Sequence, residues 1–304
     1  MKIAVTGGTG LVGTRLITRL QAQGDDCLLL TRDPVKATAQ FPRVEVVAYT
    51  PQTSGAWQQA IAGCDAVINL AGEPLAQGRW TPARKQEILN SRQVGTAKLV
   101  EAIAQANPRP PVLISTSAIG YYGTSETATF TETSPAGQDF LASVCQAWEM
   151  EAAKVSALGT RLVILRFGIV LGLGGALGQM LPTFKLFAGG PIGSGRQWFS
   201  WIHQDDLVNI MLQALQDGQM AGIYNATAPT PQRMTDFCQT LGQVMGRPSW
   251  LPVPDFVLEL LLGEAAQVVL EGQQVLPQRL QAVGFRFKFP DAQAALADIL
   301  KEDA

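Results

Sequence analysis

The stretch VTGGTGLVGTRL, Val5–Leu16, constrains the fold of this chain more than any other feature. It follows a short apolar run that reads as a strand, and it opens an amphipathic run that reads as a helix. Gly7, Gly10 and Gly13 lie three residues apart. Such a turn needs a residue that tolerates positive φ, a backbone that approaches phosphate closely, and free N–H groups at the helix start. The segment therefore predicts a phosphate-binding loop for a nucleotide.

The first half of the chain alternates short apolar runs with amphipathic runs. These patterns predict strands at 3–5, 27–30, 44–48, 66–70, 112–115 and 162–167, and helices at 11–23, 81–105 and 139–149. Apolar strands with few polar breaks are typical of a parallel sheet that is buried on both faces. Right-handed crossovers then give a doubly wound sheet. We predict an α/β fold, a doubly wound parallel-sheet Rossmann fold with a smaller, mainly helical C-terminal substrate region.

The composition of the chain changes after residue 168. Segments 171–178 and 189–195 are rich in glycine and read as irregular, and helices are predicted again at 205–216 and 235–245. Segment 248–254 carries three prolines and reads as a linker. We predict a Rossmann domain over 1–168, to which later strands return from 169–230, and a small C-terminal domain over 231–304.

Charge and hydropathy argue against several classes of binding partner. The net charge is −2 and there is no long run of Lys or Arg, which argues against nucleic acid. No segment reaches the roughly 18 apolar residues of a membrane span, so no membrane insertion is expected. One His and four scattered Cys give no metal-ligand spacing. With no recognisable signal peptide, we predict a cytoplasmic protein with reduced thiols, no bound metal and a small-molecule substrate.

The end of the second strand, LLLTRDP, bears on the choice of cofactor. A site for NAD usually has an acidic side chain here that accepts hydrogen bonds from the adenosine ribose hydroxyl groups, whereas Arg can pair with the 2′-phosphate of NADP. Thr31 stands at the strand tip and Arg32 follows it, while Asp33 comes late and precedes Pro34. We predict NADP (NADPH) rather than NAD, with Thr31 and Arg32 at the site. The alternative is that Arg32 is a solvated turn residue.

Several motifs together resemble the extended short-chain dehydrogenase/reductase superfamily: TGGTGLVG, INLAG, ISTSAIGYYG, LRFGIVLG and WIHQDDL. More narrowly, the chain is similar to an atypical NAD-dependent epimerase/dehydratase-like branch, the "SulA-like" epimerase proteins. The marks of that branch are AGEPLAQGRWTPARKQEILNSR, FLASVCQAWE, GSGRQWFSWIHQDD and the run over 262–290, which is similar to its small C-terminal domain.

The resemblance implies a set of cofactor contacts. The pyrophosphate would lie along Gly7, Thr9, Gly10, Leu11 and Val12, the 2′-phosphate at Arg32, the ribose and adenine along Leu70, Ala71 and Gly72, and the nicotinamide near Phe167, Gly168 and Ile169, with Ser115 as a further contact. Members of the superfamily often dimerise through two helices, here 81–105 and 140–158, so a homodimer is a possible assembly.

In the superfamily a Ser polarises the substrate, a Tyr transfers the proton, and a Lys four residues later assists the Tyr and holds the nicotinamide ribose. Ser117 fits the Ser position. Counting back from Glu149 places Cys145 at the Lys position and Leu141 at the Tyr position, and Arg92 stands where a helper Asn is expected. The standard proton relay therefore cannot operate.

Three residues are candidates to replace the missing proton donor beside Ser117. Tyr121 and Tyr122 follow Ser117 at a strand end, where ligands bind, with packing under the loop as the alternative. Glu73 follows a strand end and is the third candidate, with a solvated carboxylate as the alternative. Two functions stay open: an oxidoreductase or nucleotide-sugar-epimerase-like enzyme without the Tyr–Lys pair, or a catalytically silent NADPH sensor, with a link to cell division that only the name of the branch suggests.

Overall fold

The computed structural model describes residues 1–75 and 78–301, so Ala76 and Gln77 of the 71–92 motif and residues 302–304 of the predicted C-terminal domain lie outside the described residues. The described strands are β1 Lys2–Thr6, β2 Asp26–Thr31, β3 Glu45–Ala48, β4 Ala66–Asn69, β5 Val112–Ala118, β6 Thr129–Phe130, β7 Arg161–Phe167, β8 Ile169–Leu171, β9 Trp198–Phe199, β10 Trp201–His203, β11 Gly222–Ala226, β12 Gln232–Arg233 and β13 Gln274–Val275. The described α-helices are α1 Leu11–Ala22, α2 Pro34–Gln40, α3 Trp57–Ala60, α4 Pro82–Gln105, α5 Phe140–Ala153, α6 Gly175–Lys185, α7 Gln204–Gln216, α8 Met234–Met245, α9 Asp255–Leu262, α10 Gln267–Leu270, α11 Gln278–Ala282 and α12 Ala292–Lys301.

Seven strands form one parallel sheet in the order β3-β2-β1-β4-β5-β7-β11. The chain winds outward from β1 to β3 and then crosses to β4 to build the other half. Helices cover both faces, and the apolar side chains of the strands divide between two core clusters. The predicted α/β doubly wound Rossmann fold is confirmed. Its strand order reverses between β1 and β4, which is where ligands bind in such sheets.

Local sequence explains the central elements. Strand β1 is buried along nearly its whole length, as a strand covered by helices on both sides must be. Helix α1 packs Leu16, Ile17 and Leu20 against the sheet, and all three are inaccessible to solvent. Helix α5 starts at the side-chain cap of Asp139, whose Oδ1 accepts the Ala142 N–H at 2.8 Å.

Helix α6 overturns the irregular structure predicted over 171–178. Its glycines hide a helical pattern in which Leu177, Leu181 and Phe184 are buried. Gly178 fits because a Cβ there would lie 2.6 Å from the Leu173 carbonyl oxygen. Glycine lowers helix propensity, but burial of this apolar face outweighs that cost.

The chain after residue 168 builds a second apolar core, in which α6, α8 and α12 pack around Trp201 and Phe237. Strand β13 pairs with β6 in a separate two-stranded sheet, which brings the segment after α10 next to the loop that follows β5. Gly272 packs against the Trp198 carbonyl so closely that a Cβ would collide with it. The C-terminal region is mainly helical, as predicted, while its start at residue 231 stays a prediction. Among the described helices, none has the length and apolarity needed to cross a membrane.

Candidate functional site

A cavity of about 450 Å³ opens at the C-terminal ends of β1, β4, β5 and β7. Its walls come from the loop between β1 and α1, the residues that follow β4 and β7, one side of α5, and a segment near α10. Ten predicted site residues line it: Gly7, Gly10, Leu11, Val12, Leu70, Gly72, Ser117, Phe167, Gly168 and Ile169. One cavity thus joins the predicted phosphate loop to the predicted reaction centre.

The loop after β1 has the shape that a diphosphate requires. Gly7 has φ +68°, and a Cβ there would lie 2.7 Å from the Leu70 carbonyl group. A Cβ on Gly13 would lie 2.5 Å from Cα of Gly8 and would collide with the Gly7 carbonyl oxygen. The N–H groups of Leu11, Val12 and Gly13 have no acceptor among the described residues, because the first turn of a helix lacks internal partners. These donors fit a dinucleotide phosphate.

The tip of β2 carries the residues predicted to choose the cofactor. Asp33 is turned toward its own helix, where its Oδ1 caps α2 by accepting the Lys36 N–H at 3.0 Å. Arg32 has a 71% exposed side chain and donates to Glu73 Oε1 at 2.8 Å. The buried Thr31 hydroxyl accepts the Asp33 N–H at 3.2 Å. Neither Arg32 nor Thr31 lines the cavity, and both stay predicted contacts of the adenosine end.

Glu73 is held between two guanidinium groups. Its second oxygen accepts from Arg84 Nη1 at 3.2 Å, in addition to the bond from Arg32. Partial burial raises the pKa of Glu73, but the hydrogen bonds from Arg32 and Arg84 outweigh burial and bring the pKa below its usual value. A carboxylate with a lowered pKa is a weak proton acceptor near neutral pH. The predicted acid/base role of Glu73 therefore gains no support from its surroundings.

Ser117 sits at the end of β5, lines the cavity and donates its hydroxyl hydrogen to Glu149 Oε1 at 2.6 Å. Glu149 in turn accepts from Nε and Nη2 of Arg166 at 2.8 and 2.7 Å. All three side chains are buried. Because its hydrogen points to Glu149, the Ser117 oxygen presents lone pairs to the cavity and suits a substrate hydroxyl that donates to it.

The two tyrosines lie behind this network. Tyr122 is 3% exposed, donates to Asn225 Oδ1 at 2.7 Å and accepts from Arg166 Nη1 at 2.9 Å. The ring of Tyr121 lies over the Arg166 guanidinium at 3.3 Å. Burial raises the pKa of Tyr122. Neither tyrosine lines the cavity, so this arrangement supports the packing alternative, and their catalytic role rests on the sequence alone.

Helix α5 presents Leu141 and Cys145 to the cavity, at the positions where the superfamily has Tyr and Lys. Burial raises the pKa of the Cys145 thiol to about 11, so it is neutral at physiological pH. Arg92 of α4 also lines the cavity, and its guanidinium lies over the ring of Trp148 at 5.2 Å. The cavity wall at this point thus has a cation from α4 and the uncharged side chains of Leu141 and Cys145 from α5.

The remaining predicted cofactor residues lie outside the cavity lining: Thr9 and Ala71 in the loops, and Ser115 within β5, where its buried hydroxyl has no hydrogen-bond partner among the described residues. Their contact with a cofactor stays a prediction. Sequence reasoning missed much of the wall, including Leu75, Thr116, Gly120, Val144, Trp148, Gln267, Val268, Glu271, Gly272 and Gln273. The adjacent motifs 114–123 and 262–290 were the available signal, but neither shows which side chains face inward.

Comparison with known proteins agrees with this geometry. Residues 3–227 match the NAD dependent epimerase/dehydratase family, and residues 253–299 match a domain of unknown function, DUF1731. The chain belongs to the NAD dependent epimerase/dehydratase family. The resemblance drawn from the motifs is therefore confirmed, and the second match contains the C-terminal run over 262–290 that marked the narrower branch of the family.

Relatives in this family match over almost the full chain. An epimerase family protein SDR39U1 homolog, chloroplastic, from Arabidopsis thaliana is 49% identical, over 99% of this chain and 87% of that protein. The epimerase family protein YfhF from Bacillus subtilis is 40% identical, over 99% of both chains. The crystal structure of human epimerase family protein SDR39U1 with NADPH has a TM-score of 0.89 and 36% identity, over 99% of both chains.

Proposed function

We propose that the protein is an NADP(H)-dependent oxidoreductase or epimerase-like enzyme that acts on a small molecule without the Tyr–Lys pair. The observation that carries this proposal is the single cavity lined by both the glycine loop and Ser117. The human relative that was crystallised with NADPH supports the choice of cofactor. The tip of β2 supports it too, because Asp33 caps a helix and Arg32 is exposed.

When bound, the nicotinamide supplies or accepts the hydride, so the protein has to hold, orient and shield the reactants. The free N–H groups of Leu11, Val12 and Gly13 would bind the diphosphate. Phe167, at the end of β7, would lie beside the nicotinamide. Apolar walls from α5 and from Val268 of α10 would exclude water from the reaction centre.

Ser117 would orient the substrate by accepting a hydrogen bond from its hydroxyl group, since its own hydrogen is held by Glu149. Arg166 holds the Glu149 side chain in place with two hydrogen bonds, which fixes Ser117 in turn. Neutral Cys145 and apolar Leu141 provide no proton donor of the usual strength. A weaker acid or base costs a factor of roughly 10²–10⁴ in rate, so slow turnover is the expected behaviour.

A single-turnover experiment tests the proposal. Purified protein is loaded with NADPH, a small-metabolite extract is added, and loss of the reduced cofactor is followed by absorbance. Oxidation that disappears in Ser117→Ala, while NADPH still binds, is the expected result. Tight NADPH binding with no oxidation in either protein would contradict the enzyme proposal and favour the alternative, a cofactor sensor.

Arg32→Ala tests the cofactor preference. Loss of a charge-assisted hydrogen bond to the 2′-phosphate should weaken NADPH by about tenfold to a hundredfold and leave NADH nearly unchanged. Arg43→Ala is the matched control, because Arg43 is an exposed arginine that precedes β3, away from the cavity end of the sheet. An unchanged ratio of NADPH to NADH affinity in Arg32→Ala would contradict the assignment.

The cytoplasmic location, the possible homodimer and the link to cell division stay predictions. The name of the Arabidopsis relative places that protein in the chloroplast. Subcellular fractionation of cells that express the protein would test its location, and light scattering on the purified protein would test the homodimer.

A further inference from the structure

Arg92 is the only cationic side chain among the described residues that line the cavity. It projects from α4 and is half-buried between the end of β4 and α5. A Cβ on Gly72 would lie 3.0 Å from the Arg92 Cζ, so the guanidinium packs closely against this glycine. On its other side lies the ring of Trp148. Its position is therefore fixed by packing.

No described carboxylate forms an ion pair with Arg92. Glu73 pairs with Arg32 and Arg84, and Glu149 pairs with Arg166. The Arg92 guanidinium donates from Nη1 to the Ile88 carbonyl at 3.2 Å and to Ser91 Oγ at 3.4 Å, and from Nη2 to the Glu73 carbonyl at 3.0 Å.

The Arg92 Nε–H has no acceptor among the described residues. Burial lowers the pKa of Arg92. Even partial burial of a cation without a counter-ion is costly, and an anionic ligand would relieve that cost.

The charged side chains that line the cavity indicate where an anionic group of a ligand would bind. Asp139 lines the cavity where α5 begins, and Glu271 lines it after α10 and accepts from the Thr124 hydroxyl at 2.7 Å. These carboxylates disfavour an anion beside them. Arg92 and the glycine loop are the parts of the lining that favour one, and the loop contributes only N–H dipoles.

We propose that Arg92 binds the nicotinamide half of the cofactor at its phosphate and ribose oxygens, and supplies the positive charge that neutral Cys145 does not. This inference rests on the proposed function, because it takes NADPH as the ligand. Arg92 lies between the two elements that the cofactor would contact, the end of β4 at Gly72 and the cavity side of α5. The positively charged side chain of this site thus comes from α4, whereas the superfamily has its Lys on α5, and the Cys145 thiol can stay neutral.

The test compares two ligands on the purified protein by calorimetry, without turnover. NADPH contains both halves of the dinucleotide, whereas adenosine 2′,5′-bisphosphate contains only the adenosine half. Arg92→Gln should weaken NADPH by about tenfold or more and leave adenosine 2′,5′-bisphosphate within twofold of the parent. Arg32→Ala is the matched control, because it should weaken both ligands. Arg92→Lys, which keeps the charge, should recover part of the loss.

Two results would overturn the inference while the proposed function stands: NADPH affinity in Arg92→Gln equal to that of the parent, or an equal loss for both ligands. A urea unfolding curve on each variant separates a loss of binding from a loss of folding. If Arg92→Gln folds poorly, the two ligands are compared on Arg92→Lys instead. A larger loss of affinity for NADPH than for adenosine 2′,5′-bisphosphate in that variant supports the inference, and equal losses overturn it. Failure of the parent to bind NADPH at all would overturn the proposed function and this inference with it.

Discussion

Removing the carboxylate of Glu149 should destabilise the fold far more than removing an exposed carboxylate. In Glu149→Gln, Arg166 keeps its charge but loses its counter-ion, and Arg166 is 1% exposed. Three short hydrogen bonds meet at this carboxylate, one from Ser117 and two from Arg166. Breaking one partner of a buried ion pair costs roughly 3–5 kcal/mol. Since Gln keeps one acceptor, we expect about 3 kcal/mol.

The assay is equilibrium unfolding in urea. A loss of stability appears as a lower urea concentration at the midpoint, with an unchanged dependence of the unfolding free energy on urea. Glu45→Gln is the control, because Glu45 pairs with Lys2 at 2.9 Å with both side chains well exposed, and such pairs contribute about 0–1 kcal/mol. A double replacement, Glu149→Met with Arg166→Met, removes both charges and should recover most of the loss, since apolar pairs often substitute for buried ions without penalty.

A loss below about 1 kcal/mol in Glu149→Gln, similar to the control, would refute the reasoning. It would mean that water or a rearranged side chain solvates the Arg166 charge in the variant, and that the Glu149–Arg166 ion pair does not fix Ser117. A double variant as unstable as the single variant would contradict the electrostatic explanation, because the loss would then come from packing.

Two other changes test the loop and the buried histidine. Gly13→Ala should abolish NADPH binding measured by calorimetry while the unfolding midpoint shows a folded protein, because its Cβ would meet the rigid backbone of Gly7 and Gly8; normal binding would contradict the loop assignment. Burial lowers the pKa of His203 to about 4, from 6.5 in the unfolded chain. The neutral histidine therefore contributes fully to the free energy of unfolding above pH 6.5. That contribution, roughly 3 kcal/mol in total, is lost as the pH falls toward 4. His203→Asn keeps an acceptor for the Asp205 N–H and should lose less stability than the parent over that window, whereas parallel curves of unfolding free energy against pH would contradict the assignment.

The sequence predicted the sheet and the glycine loop well because both depend on local pattern. Strand β1, the Gly7–Gly13 spacing and α1 are contiguous, so one short segment contains the strand, the turn and the helix start. Helix α6 was missed because its glycines obscure a pattern that only burial against a second core explains.

Much of the site could not be predicted because it depends on contacts between distant segments. Arg92 was recognised by its place in a motif, but its position beside Cys145 follows from how α4 packs on α5. Tyr121 and Tyr122 stand in the right motif, yet Arg166, more than 40 residues later, draws both away from the cavity. Segment 267–273 reaches the site through the β13–β6 pairing, across about 145 residues of chain.

The wall formed near α10 has a consequence for how the protein is made. During synthesis the glycine loop, Ser117 and α5 leave the ribosome first, and strand β11 then completes the sheet. Gly272 and Gln273 come more than 40 residues after β11, so the reaction chamber stays open to water until most of the chain has emerged. A chain cut short before this wall would lack one side of the cavity, and it would also lack Leu280 and Phe285, which belong to the core cluster that packs on the sheet.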